Sequence, residues 1–73
     1  MQKAPFRVNV LVNGQPQQVP PGSTVADLLA QLHLPARGVA VEVNLAIVPR
    51  PRHPEHQLCE GDRLEVVSLV GGG

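Results

Sequence analysis

The sequence ends Ser68-Leu69-Val70-Gly71-Gly72-Gly73, and the final carboxylate is the group best suited to chemistry. A carboxylate is a poor electrophile. Joined to AMP as a mixed anhydride it acquires a good leaving group, which a nucleophile such as a sulfur donor then displaces. Such a reaction needs an active site in another protein, into which the terminus must thread. Glycine suits this task, because without a Cβ its backbone approaches the walls of a narrow channel closely. At ~3.3 Å per residue, Val70 to Gly73 reach about 13 Å when extended, which leaves the body of the protein outside the cleft. Composition alone also fits a plainer view, in which the three glycines are a frayed end or a cloning remnant.

The remaining reactive residues are less suggestive. His53 and His56 stand three apart with Glu55 between them. Two imidazoles make an incomplete metal site, so they read as solvent-exposed loop histidines and no metal is expected. Cys59 is the one cysteine, which excludes an internal disulfide and a multi-cysteine zinc site. It lacks a basic neighbour or helix N-terminus to favour the thiolate, and it reads as an ordinary thiol. His33 falls near the end of a helical pattern, where a cation is tolerated. Arg50, Arg52 and Arg63 suit either an acidic partner surface or plain solvent.

With 73 residues the chain is one domain, 1–73, with its tail at 70–73. A core this small leaves little room for an enzyme pocket, which favours a carrier or binding module over a catalyst. Six Lys and Arg balance six Asp and Glu, and Phe6 is the sole aromatic. Nucleic-acid binding needs a positive patch and usually stacking rings, and neither is present. The first residues lack the apolar stretch of a signal peptide, and no apolar run approaches the ~20 residues that span a bilayer. A soluble, cytoplasmic protein without membrane partners is expected.

The elements follow from periodicity. Phe6, Val8, Val10 and Val12 share one face of a strand, with Arg7, Asn9 and Leu11 on the other. Asn13-Gly14 is a strong hairpin signal, and a strand near Gln17 to Val19 returns antiparallel. Pro20-Pro21-Gly22 stops it. Thr24 caps a helix with Asp27 at the reciprocal position, and Val25, Leu28, Leu29 and Leu32 form its apolar stripe. Pro35 ends the helix near His33. Val39, Val41 and Val43 mark a third strand, Ala46 to Val48 a fourth, and Arg63 to Leu69 the last, after an irregular stretch from Pro51 to Glu60. One helix covers one face of such a sheet. The first and last strands are the most apolar, so they belong side by side at the centre, as a parallel pair. This is the α+β, β-grasp (ubiquitin-like) arrangement, a mixed sheet of four or five strands. The core expected under the helix is Phe6, Val8, Val10, Val19, Val25, Leu28, Leu29, Leu32, Val41, Val43, Ile47, Leu64 and Val66. Leu11, Val67 and Leu69 fall on the open face. They are either ordinary exposed apolar residues or a docking patch beside the tail.

Several segments carry a family resemblance. They are Val12-Asn13-Gly14, Thr24-Val25-Ala26-Asp27-Leu28-Leu29, Val39-Ala40-Val41-Glu42-Val43-Asn44 and Ile47-Val48-Pro49-Arg50. The last is Gly61-Asp62-Arg63-Leu64-Glu65-Val66-Val67, which runs into Val70-Gly71-Gly72-Gly73. In this order and spacing, residues 6 to 73 resemble the ThiS family, the sulfur carrier proteins of thiamine biosynthesis. The resemblance implies that an E1-like adenylyltransferase uses ATP and magnesium to adenylate the Gly73 carboxylate. Sulfur from a cysteine desulfurase and sulfurtransferase system then makes a thiocarboxylate, and thiazole synthase receives the sulfur. Gly73 would be the functional position, Gly72 its partner and Gly71 an extension of the tail. The chain itself would be no enzyme and would bind no cofactor. Two departures stand out. Asn44-Leu45-Ala46 replaces the family's common Asn-Gly, which leaves that turn's shape open, and His53-Pro54-Glu55-His56 matches no family motif. Three alternatives remain. One is a carrier for another pathway, like the small subunit of molybdopterin synthase. The others are a ubiquitin-like protein modifier and a plain β-grasp adaptor.

Overall fold

The computed structural model describes residues 7–35 and 37–69. Strands β1 (Val8–Val12) and β2 (Gln15–Val19) are joined by Asn13 and Gly14, with φ of 51° and 82°. Two successive left-handed residues make the two-residue turn whose twist matches the flanking strands. The pairing is antiparallel, Val10 opposite Gln17 and Val8 opposite Val19. β2 is an edge strand, and it reads Gln-Pro-Gln-Gln-Val. Its polar residues and its proline, which offers no N–H, discourage further pairing at that edge.

Helix α1 (Val25–Gln31) has only seven residues. A helix this short is marginal alone, so caps and packing must hold it. Its N-terminus is fully provided for. Thr24 Oγ1 accepts from Asp27 N at 3.2 Å, and Asp27 Oδ2 accepts from Thr24 N at 2.9 Å. The next two orphan donors, Val25 N and Ala26 N, reach His56 O and His53 O at 2.9 and 3.0 Å. At the other end His33 takes a left-handed φ of 60°. Its N–H donates to Ala30 O and that of Leu34 donates to Leu29 O, which closes the helix in a Schellman pair.

Strands β3 (Val39–Val43), β4 (Ala46–Val48) and β5 (Arg63–Ser68) complete a five-stranded sheet in the order β2-β1-β5-β3-β4. β5 is central, parallel to β1 and antiparallel to β3. This is the β-grasp expected from the sequence. The core comprises Val10, Val12, Val19, Val25, Leu28, Leu29, Val41, Val43, Val48, Leu58 and Leu64, with Val8, Leu32, Val39 and Val66 packed partly buried against it. Phe6, expected in this core, lies outside the described residues.

Ile47 corrects the expected core, for it is 65% exposed while Val48 is buried. The reason is register. The turn between β3 and β4 has two residues, so Val41 faces Val48 and Glu42 faces Ile47. Residues opposite one another share a face, which puts Ile47 with Glu42 on the open side. The core also takes Leu58, from a stretch without periodicity, because Leu58 N donates to Ser23 O and ties that stretch beneath the helix start.

The turn itself keeps the two-residue shape. Asn44 and Leu45 have φ of 52° and 74°. Leucine is strained there, since its Cβ crowds the carbonyl, and its side chain is 89% exposed. Leu45→Gly is therefore expected to stabilise the fold by about 0.5–1 kcal/mol, the relief of strain less glycine's extra chain entropy. A thermal melt should show a gain of about 4–8 °C per kcal/mol. A lowered melting temperature would mean that the leucine side chain contributes packing worth more than the strain.

Candidate functional site: the end of the central strand

The glycines that carry the expected chemistry, Gly71, Gly72 and Gly73, lie outside the described residues. What the structure describes is their mooring. β5 is held on both sides by asparagines at the two hairpin turns. Asn13 Oδ1 accepts from Val66 N at 2.8 Å and Asn13 Nδ2 donates to Val66 O at 3.0 Å. The side-chain amide thus imitates a strand residue and prolongs the β1–β5 ladder past Val12. On the other side Asn44 Oδ1 accepts from Arg63 N, and Asn44 Nδ2 donates to Asp62 Oδ1, both at 3.0 Å. Asparagine fits both roles, since it tolerates left-handed backbone and carries a donor and an acceptor together.

The turn before β5 is equally tied. Gly61 has a φ of 86° and its N–H donates to Asn9 O at 2.8 Å. Glu60 accepts from the backbone N–H and side chain of Asn9, while Asp62 Oδ2 accepts from Cys59 N. At the far end Leu69 N donates to Gly38 O at 2.7 Å, the last described hydrogen bond before the tail. The strand is fixed from its first residue to Leu69. None of these side-chain ties was read from the sequence. Asn13 and Asn44 were recognised there as turn residues only, since their bonds span long sequence separations.

The expected docking residues divide. Val67 and Leu69 are 54% and 67% exposed, on the open face near the tail, with Ala40 opposite Val67. Leu11 is half-buried and lies opposite Arg63, at the other end of β5. Four strand residues, about 13 Å at 3.3 Å each, separate it from Val67, so the three do not form one patch. Between them runs a row of Glu65, Glu42 and Ile47. The two glutamates face each other directly, a mildly unfavourable pairing of like charges.

His53 is a second correction. Expected in solvent, it is 3% exposed, and its Nε2 lies 3.0 Å from Val48 O. A carbonyl only accepts, so Nε2 is the donor. The ring is a structural plug beneath the 3₁₀ turn of Arg50–Arg52. Cys59 is an exposed free thiol, as expected for an ordinary one. Among the described residues no three His, Cys, Asp or Glu are grouped to hold a metal ion, and no helix is long and apolar enough to cross a membrane.

A helix on one face of a mixed five-stranded sheet, with its central strand moored on both sides, defines a β-grasp domain. The chain belongs to the ThiS family, whose model matches residues 10–73. It is 35% identical over 66 residues to the sulfur carrier protein ThiS of Escherichia coli, covering 90% of this chain and all (100%) of that one. It is 38% identical over 66 residues to a thiazole synthase of Paramagnetospirillum magneticum, but spans only 20% of that relative's length. The crystal structure of the thiamine biosynthesis protein ThiS from Geobacter metallireducens superposes with a TM-score of 0.77 at 32% identity, covering 90% of this chain and 100% of that one.

Proposed function

We propose that this chain is a sulfur carrier serving thiamine biosynthesis, with its C-terminal carboxylate as the carrying group. The observation that carries this reading is that the family match runs through residue 73, so the glycine end belongs to the matched pattern. A strand moored up to Leu69 supports it, since a fixed root gives a short tail a defined reach.

The chemistry lies with partners. An E1-like adenylyltransferase, using ATP and magnesium, joins the Gly73 carboxylate to AMP and releases pyrophosphate. A persulfide from a cysteine desulfurase and sulfurtransferase system attacks the activated carbonyl and AMP departs; a thiol then reduces the resulting acyl disulfide, which frees the thiocarboxylate and leaves the donor sulfurs as a disulfide. Thiazole synthase then accepts the sulfur. Relatives named thiazole synthase that contain a segment like this chain support that pairing, because fusion keeps carrier and recipient together. In this scheme the chain is a cosubstrate: the Gly73 carboxylate is its one reacting group, attacking the α-phosphorus of ATP and later receiving the sulfur, and no side chain serves as acid or base. Gly71 and Gly72 let the tail pass through a narrow channel. Val67 and Leu69, with Ala40 opposite Val67, offer an apolar surface beside the tail's root.

The test is direct. The purified protein, incubated with its adenylyltransferase, ATP and a sulfur source, should gain the mass of one sulfur less one oxygen. No mass change with competent partners would defeat the reading, and high-mass conjugates on lysines would replace it with protein modification. Val67→Asp is expected to weaken adenylyltransferase or thiazole synthase binding by roughly tenfold, the scale of a lost apolar contact of 1–2 kcal/mol, with little change in melting temperature. A drop in melting temperature without a loss of affinity would make Val67 a structural residue.

A further inference from the structure

On the helix side of the molecule an open groove of about 410 Å³ runs between α1 and the segment after β4. Leu29, Ala30, Leu34 and Pro54 give it apolar walls, and Arg37 and Arg50 stand at it with exposed guanidinium groups. The chain has six acidic residues, and none lines this groove. Asp27 is engaged by Thr24 N, Glu55 by Arg52, Glu60 by Asn9, and Asp62 by Cys59 N and Asn44. Glu42 and Glu65 face away, on the open side of the sheet. A chain of zero formal net charge is thus polarised, with two cations on an apolar groove that no carboxylate among the described residues answers.

One wall of the groove also adjoins the described end of the central strand. Arg37 immediately precedes Gly38, whose carbonyl receives Leu69 N at 2.7 Å. Any protein that takes the tail into its active site comes up against this end of the molecule. We infer that the Arg37–Arg50 groove docks an acidic segment of the protein that receives the tail, a carboxylate meeting the guanidinium groups and an adjacent apolar side chain entering between Leu29, Leu34 and Pro54. Guanidinium forks match carboxylates in bidentate geometry, and the apolar walls strengthen the pairing by excluding water. The inference rests on the carrier reading and adds a second contact surface, on the side of the fold opposite the sheet face.

The test uses the full-length chain with purified thiazole synthase and purified adenylyltransferase, titrated by calorimetry at low and high salt. The double variant Arg37→Glu, Arg50→Glu is expected to bind at least one of them roughly tenfold more weakly and with a flatter salt dependence. Its melting temperature should stay unchanged, both side chains being exposed. A neutral pair, Arg37→Gln with Arg50→Gln, is expected to lose about threefold, which keeps the test open if charge reversal disturbs folding. Both partners binding both variants within about twofold would overturn the inference. So would amide shifts of Gly71 to Gly73 that respond to the substitutions in the free protein without any loss of partner affinity, for the occupant would then be the chain's own end. Sulfur uptake by the unsubstituted protein, read from its mass, reports on the carrier reading separately.

Discussion

Adding a single alanine after Gly73 is expected to abolish sulfur uptake and to leave the melting temperature where it is. On the proposed carrier chemistry, the added peptide unit converts the Gly73 carboxylate, the group to be adenylated, into an amide. It also moves the new carboxylate about 3.3 Å further along and gives its residue a Cβ. In-line attack on ATP needs the carboxylate oxygen near 3 Å from the phosphorus, and a misplacement of 1 Å can cost about a hundredfold. A terminus displaced by a whole residue, in a channel fitted to glycine, therefore loses at least about two orders of magnitude in adenylation. The fold has no reason to respond, since every described hydrogen bond ends at Leu69 or before it. Pyrophosphate release and intact mass measure the chemistry, and a thermal melt measures the fold. Turnover within tenfold of the unextended chain would show that the terminus is not the reacting group. A fallen melting temperature would show that the tail packs on the body.

Local signals carried much of this fold. Asn13-Gly14 declared its hairpin because both residues accept left-handed backbone, and it has that backbone. Thr24 and Asp27 announced the start of α1 through a reciprocal pair that needs only four residues to recognise. The parallel pairing of β1 with β5 followed from the apolar content of both strands and the helical crossover. Where the outcome hung on distant partners, sequence pattern failed. Ile47 and Val48 are equally apolar, and only the two-residue turn at Asn44 and Leu45 decides which of them points inward. That turn was legible as a turn, but a leucine at φ 74° hid its length. Asn13 and Asn44 looked like turn residues and nothing more, although each also ties β5 across the sheet. The docking residues were half legible for a related reason. Alternation put Leu11, Val67 and Leu69 on the correct face, while their separation along it required the register of β1 against β5. The tail lies outside the described residues, so its reading rests on the glycines of the sequence and on a family match that runs through residue 73.

His53 was the residue furthest from legible, and it carries the largest expected effect on stability. His53→Ala should destabilise the domain by about 3 kcal/mol. Removing a ring that is 3% exposed leaves a cavity among the residues where α1, the end of β4 and the following turn meet, at a cost of about 2 kcal/mol or more. The carbonyl of Val48 also loses the Nε2 donor at 3.0 Å, a hydrogen bond worth about 0.5–1.5 kcal/mol net. Domains are stable by only about 5–15 kcal/mol, and one of this size belongs near the lower end. At about 4–8 °C per kcal/mol the melting temperature should fall by roughly 12–24 °C. The backbone of the same segment offers its carbonyls at His53 and His56 to Ala26 N and Val25 N, so loosening it also loosens the start of α1. His56 is the internal control. It shares the segment and the residue type, but its half-buried side chain makes no hydrogen bond among the described residues, and His56→Ala should cost less than about 1 kcal/mol. Equal losses in the two variants, by thermal melt and by urea titration, would mean that the buried ring is not what holds the segment. The chemistry discriminates further. Below its own melting range the His53→Ala protein should still accept sulfur at Gly73, because the mooring of β5 by Asn13 and Asn44 does not pass through His53. A variant that stays folded yet cannot be charged would place His53 in partner recognition, since its ring underlies the groove at which Arg50 stands.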